Sequence, residues 1–247
     1  MTDSCFADRA TIERTPTHAA ALDCLAAGID AALPASVVDE AVAVEGDRLS
    51  IADVDGTTTS VDLDAYDRIL LLGAGKAADG LASALVKRLG GRIDGGAVVT
   101  TDPDDAAGEP FAVLPGDHPR PTARGAESAT RVREIAGAAG ERDLVLVALT
   151  GGGSAILAAP PDGIPVAALR ELTDELLASG AAIEEVNAVR KHCSAVKGGR
   201  LTALAAPARV VTVAVSDVVG DDPAVIASGP TTPDYTRFTD ANDVAER

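Results

Sequence analysis

Hydrophobic positions in this chain first recur at helical spacing and then condense into short apolar runs. Residues 17–32, THAAALDCLAAGIDAA, carry apolar side chains three and four apart, which predicts a helix that Pro34 ends. Short segments at AVAVEG, RLSIADVDG and TTTSVDL follow, and the Asp55-Gly56 step is a hairpin signal, so a small antiparallel edge is predicted. From Asp67 onward strand patterns alternate with helical ones. They begin with RILLLGAG and KAADGLASALVKRLG and continue through GGAVVTT and FAVLPGD. A helix in PTARGAESATRVREIAGAAG, with Pro121 near its first turn, leads to the buried strand DLVLVALT. Helices near 165–179 and 181–192 then precede a last strand in ARVVTVAVSDV. Uniformly apolar strands separated by helices belong to a parallel sheet covered on both faces. The predicted fold class is α/β, three layers, with a mostly parallel sheet.

Composition narrows the setting. A chain of 247 residues that is 47% hydrophobic can bury a full core. It holds no apolar run of eighteen residues, and MTDSCFADRATIERT is too acidic and polar for a secretory signal, so a soluble, cytoplasmic protein is expected. Cys5, Cys24 and Cys193 show neither a CxxC pair nor metal-ligand spacing; they are expected to be reduced, with Cys24 in the core. Acidic residues outnumber basic ones 38 to 21, and the net charge of −17 repels nucleic acid and anionic membranes. An aspartate-rich surface with only four lysines suits a high-salt cytoplasm, where screening weakens self-repulsion. The final stretch FTDANDVAER starts like a capped helix, with Thr239 or Asp240 as N-cap, and stops after about two turns, which predicts a chain cut short.

In open α/β sheets ligands sit beyond the carboxyl ends of the strands, and four such places are unusual here. GAGKAA places Gly73, Gly75 and Lys76 after the first main strand, and a lysine at a helix start adds a mobile charge to an end that already attracts anions. PGDHPRPT offers Asp117 and His118. TGGGSA offers Gly151, Gly152, Gly153 and Ser154, whose amides and hydroxyl suit phosphate or carboxylate oxygens. The last strand is followed by Ser216 and Asp217, with Asp221 and Asp222 close behind, and a carboxylate there can hold Mg2+ together with substrate oxygens. The segment EVNAVRKHCSAVKGGRL is the one basic cluster, with Arg190, Lys191, Lys197 and Arg200, and its Gly198-Gly199 step is a second candidate anion pocket.

Rival readings exist for these motifs. GAGKAA also fits the dinucleotide pattern GxGxxA, with Asp102 after the next strand as ribose ligand, although that spacing exceeds the usual roughly twenty residues. This NAD-dependent oxidoreductase is the main alternative. A serine hydrolase built on Ser154 fails the GxSxG elbow, since Ala155 and Ile156 follow. A non-catalytic binder of small anions is the third class.

Taken in order, LLGAGKAA, PGDHPRPT, LTGGGSAILAAP, EVNAVRKHCSAVKGGRL and VSDVVGDDPAVIASGPTTPD closely resemble the N-terminal domain of type II glycerate 2-kinases, the MOFRL-associated family, and the resemblance covers nearly the whole chain. It implies a Rossmann-like α/β domain at residues 1–247 that works with a smaller C-terminal domain, here without a counterpart. It further implies ATP-dependent phosphorylation of glycerate, at the 2-position, in the cleft between the two. The family's essential lysine corresponds to Lys76 and its active-site aspartate to Asp217. On that resemblance Lys76 steadies the transferring phosphoryl group or the acceptor's charge, and Asp217 orients the hydroxyl or holds Mg2+. The glycine loops, with Arg190 and Lys197, clasp the carboxylate and the phosphates. ATP, Mg2+ and glycerate are the expected ligands, and oligomeric state is left open.

Overall fold

The computed structural model describes residues 5–103 and 110–246. Helices α1 (Arg9–Ile12), α2 (Pro16–Ala32) and α3 (Pro34–Ala41) lead into β1 (Val42–Glu45), β2 (Arg48–Ala52) and β3 (Thr58–Asp62). The main layer then runs β4 (Arg68–Ala74), α4 (Ala78–Leu89), β5 (Gly95–Thr100), β6 (Ala112–Pro115), α5 (Ala123–Gly137) and β7 (Asp143–Leu149). After it come α6 (Gly153–Ile156), α7 (Val166–Ala178), α8 (Ile183–His192), α9 (Arg200–Ala205), β8 (Arg209–Ala214) and α10 (Phe238–Ala245).

The five-stranded sheet has the order β6-β5-β4-β7-β8, and every pairing in it is parallel. This is the α/β fold expected from the apolar runs. All seven residues of β7 are buried, because it lies inside the sheet with helices over both faces. On one face α3 and α4 bring Val38, Leu81 and Leu85 against Leu71 and Leu146; on the other α5 and α9 bring Val132 and Leu201 against Leu72 and Val147. The chain builds outward from β4 to β6, then returns past β4 to lay down β7 and β8. The reversal opens a crevice between the carboxyl ends of β4 and β7, where such sheets bind ligands.

Two local expectations are refined and two are corrected. The antiparallel hairpins form a separate three-stranded sheet, order β1-β2-β3, whose Leu49 and Val61 join the core beside α3 and α4, and so are not an edge of the main sheet. Pro34 does more than end a helix: it takes the first position of α3, where a missing N–H costs nothing. Cys24 is exposed, because α2 buries Leu22 and Ala26 and a residue two positions away points about 200° round the helix. The N-cap of α10 is Arg237, and Asp240 sits three residues on, its carboxylate accepting from the Arg237 amide at 2.7 Å. Among the described residues no single helix is long and apolar enough to cross a membrane.

Candidate active site

The two glycine loops at the switch point divide the chemistry between them. In GAGK the amides are spent inside the protein: Lys76 N donates to Gly151 O at 2.9 Å, Ala77 N to Thr150 Oγ1 at 3.1 Å, and Ala78 N to Gly75 O at 3.3 Å. Gly75 needs its missing side chain, since its φ is +145° and a Cβ would lie 2.1 Å from Thr150 Oγ1. Gly73 lies within β4, where a Cβ would press on Ala148 O at 2.6 Å, so it serves the close packing of strands. A dinucleotide loop presents free amides to a pyrophosphate, and here they are taken. What this loop offers to the crevice is the exposed side chain of Lys76.

The loop after β7 is the reverse case. Among the described residues the amides of Gly151, Gly152 and Ser154 have no acceptor, while Gly153 N donates to Thr150 O at 3.4 Å. Gly152 has a φ of +84°, and a Cβ on it would stand 3.1 Å from both Lys76 Cε and His118 Cδ2. A Cβ on Gly151 would stand 2.2 Å from Asp217 Oδ2. Lys76 and Asp217, 141 positions apart by their numbers, therefore close on adjacent residues of one loop. Gly151→Ala is expected to push the Asp217 carboxylate aside and lower turnover about a hundredfold, the usual cost of an ångström-scale displacement, with little change in thermal unfolding. Steady-state kinetics beside a melting curve checks this.

The ring of His118 senses the same convergence. Burial pushes its imidazole down from the ordinary value, Lys76 and Arg190 push the same way, and Asp217 opposes them. Its neighbour Asp117 is structural: Arg124 and Thr122 hold its carboxylate with hydrogen bonds, including Arg124 Nε at 2.7 Å, and keep it down to about 2.

The basic cluster separates into framework and site. Lys191 pairs with the buried Asp234 at 3.3 Å, and Arg200 donates to the carbonyls of Lys191 and Lys197 at 2.8 and 3.0 Å. Gly198 and Gly199 give their amides to Ser228 O and Gly229 O, so KGGR is no amide cradle, contrary to the sequence expectation. Arg190 and Lys197 remain. Both line a pocket of about 20 Å3 with Ser154 and Ser194, between apolar walls that include Ala159 and Leu169. Lys197 is 5% exposed, and among the described residues its Nζ donates only to Leu157 O, at 3.3 Å. Burial, aided by the Arg190 charge, pushes its ammonium down to about 7. Several arginines elsewhere meet carboxylates, as in Arg68–Asp143 at 2.5 Å; among the described residues neither Arg190 nor Lys76 has such a partner.

Two site residues escaped the sequence reading. Ser228 Oγ lies 2.7 Å from Ser154 Oγ, held by three successive residues, 227–229, in left-handed backbone; the SGP step in IASGPT was the available signal. Asp234 holds Lys191 and also accepts from Thr236 N at 3.1 Å, which orders the chain behind the KGGR loop. Nothing local marks it, because its partner is 43 residues away.

The class defined by this fold and site is an α/β protein whose switch-point crevice gathers cations and amides that have no partner among the described residues, beside one carboxylate, an arrangement suited to an anion. The chain belongs to the family described as Domain of unknown function (DUF4147), matched over residues 20–247, which forms the N-terminal half of glycerate 2-kinase relatives. It is 42% identical over 182 residues to the D-glycerate 2-kinase of Thermotoga maritima, spanning 73% of this chain and 44% of that protein. It is also 42% identical over 181 residues to an Agrobacterium vitis protein named "Putative hydroxypyruvate reductase", spanning 73% of this chain and 47% of that one. A crystal structure of glycerate kinase from Thermotoga maritima superimposes with a TM-score of 0.74 at 36% identity, over 92% of this chain and 50% of the other. The chain thus spans about half the length of these relatives.

Proposed function

We propose that the chain carries one side of the active site of an ATP-dependent kinase that phosphorylates D-glycerate on its 2-hydroxyl. The observation that carries this reading is the set of three cations, Lys76, Arg190 and Lys197, that have no carboxylate partner among the described residues and gather at one crevice of a chain with net charge −17. Phosphoryl transfer asks mainly for positioning and neutralised charge, and this equipment supplies both. The amides of Gly151, Gly152 and Ser154 orient phosphate oxygens. Lys76, lying over Gly152, holds the charge that develops on the transferring group. Asp217, exposed and free of hydrogen-bond partners among the described residues, accepts the proton of the acceptor hydroxyl or holds Mg2+.

Among the described residues no three metal-binding side chains cluster, which disfavours an all-protein cage. One carboxylate beside a phosphate site suits Mg2+, which takes one or two carboxylates and completes its shell with phosphate oxygens and water. Bound there, Mg2+ supplies neutralisation of phosphate charge.

The test is an ADP-release assay with D-glycerate, run on this chain alone and on its fusion to the remaining half of the Thermotoga maritima enzyme. The phosphate position is read by NMR. ADP release matched to 2-phosphoglycerate is the expected result. Hydroxypyruvate-dependent oxidation of NADH without ADP release overturns the proposal in favour of the reductase named for the Agrobacterium vitis relative.

A further inference from the structure

The pocket behind Ser154 differs in character from the rest of the crevice. Most of its polar groups are donors; Thr173 is the exception, since its hydroxyl proton goes to Leu169 O at 2.8 Å. Arg190 contributes a guanidinium that no carboxylate meets among the described residues, and Lys197 has two N–H bonds left after its contact with Leu157 O. Ser194 Oγ accepts from the amides of Val196 and Lys197, both at 3.3 Å, so its own proton is free to donate. Of the Ser154–Ser228 pair, one hydroxyl donates to the other and the second proton is left over. A cavity of about 20 Å3 is far too small for a nucleotide or a triphosphate. The wall of Ala159 and Leu169 is apolar. A lining rich in donors, two cations, a small volume and an apolar wall describe a receptor for a compact planar anion joined to a short carbon chain.

We infer that this pocket is the carboxylate subsite of the acceptor acid, with Arg190 and Lys197 as countercharges and Ser194 as a further donor. The assignment rests on the kinase reading above and divides the crevice: the acid enters headfirst toward Lys197, and the phosphates lie outside it, over Gly151–Ser154 and Lys76. Its ligand class is the short 2-hydroxy acid, recognised by its carboxylate. The site explains why a lysine stays buried without an acidic partner, since the guest supplies the missing charge. Among the described residues Arg190 is the one charged group acting on Lys197, from α8. The Ser154 and Ser194 hydroxyls and the Leu157 carbonyl are its neutral neighbours. A carboxylate in the pocket restores the ammonium form, so binding above about pH 7 draws a proton from solution.

The experiment is calorimetric titration of the unliganded chain, without nucleotide, with D-glycerate, glycerol or inorganic phosphate. At pH 8 it is repeated in two buffers of different ionisation heat. The expected results are saturable binding of D-glycerate with net proton uptake and no binding of glycerol. Inorganic phosphate should bind without sensitivity to Lys197→Met. That variant should weaken glycerate roughly a hundredfold and abolish the proton uptake, and Arg190→Gln should weaken it comparably. Equal binding of glycerol, or glycerate binding indifferent to Lys197→Met in a folded protein, overturns the subsite. Phosphate binding that is lost in Lys197→Met also overturns it, by assigning the pocket to the donor. Because no arm uses ATP, glycerate binding that depends on Lys197 would stand even if the ADP-release assay failed. ADP release with glycerate affinity unaffected by Lys197→Met would sink the subsite alone.

Discussion

Lys76→Ala should lower kcat for phosphoryl transfer by about two to three orders of magnitude, in the range found when one preorganised donor to a developing charge is deleted. The side chain is exposed, and among the described residues it makes no hydrogen bond or ion pair, so its removal has little to disturb in the fold. Thermal unfolding should be unchanged within error. The loop around it has no other means of reaching the guest, because the amides of Lys76, Ala77 and Ala78 are bound to Gly151, Thr150 and Gly75. Loss of the ammonium therefore leaves that side of the crevice without a donor. The partition between kinetic constants is informative: a group acting on the transferring phosphoryl lowers kcat, whereas one that only steadies ground-state ATP raises KM. A variant with kcat within threefold of the parent would remove Lys76 from the chemistry. Lys76→Arg should recover part of the rate, as it returns charge in a different geometry.

The sequence made the strands and most helices legible because each depends on a short window. Between Asp143 and Thr150 DLVLVALT is apolar, and only a strand covered on both faces tolerates that, so β7 was legible as a buried strand of a parallel sheet. The strand order was not legible, since no local signal says that the chain returns past β4 after β6. The same limit divides the site. GGGS advertised its bend through glycine, and its free amides follow from the loop itself. KGGR made the same advertisement, but its amides were taken by Ser228 and Gly229, some 30 residues downstream, which no window around Gly198 contains. Asp117 stood among the polar residues at strand ends, but Arg124 holds its carboxylate. Residue type showed where polar groups stand at strand ends; whether each was free for a ligand depended on long-range partners. Lys197 is the sharpest case. Its neighbours in sequence suggest a surface charge, yet packing from α8 and the chain after Ala155 buries it.

That burial has a thermodynamic consequence: Lys197→Met should make the unliganded protein more stable, and most so at low pH. Methionine keeps the unbranched apolar stem and removes a charge that meets another cation and no anion. Replacing uncompensated buried charge by apolar side chains is worth about 1–4 kcal/mol, which for a chain of this size is several degrees in Tm. The sign with pH follows from the lowered ammonium. The folded protein releases the Lys197 proton near pH 7, while the unfolded chain keeps it to about 10.5. Between those values the unfolded state binds more protons, so the parent's stability rises with pH across that window. Below about pH 7 both states are charged and the full penalty of burying the ammonium is present. The Tm difference between variant and parent should accordingly be largest at pH 6 and shrink steadily toward pH 9. Subtracting one melting profile from the other removes the titration of the many surface carboxylates, which both proteins share. D-glycerate at a concentration between the two dissociation constants should reverse the order at pH 6, since it binds the parent's folded state roughly a hundredfold more tightly than the variant's. A variant less stable than the parent at pH 6, or a difference flat with pH, would mean that burial imposes no penalty on this ammonium in the empty fold. The reversal by glycerate ties the two properties together: the feature that weakens the empty protein is the one that gives the acid its place.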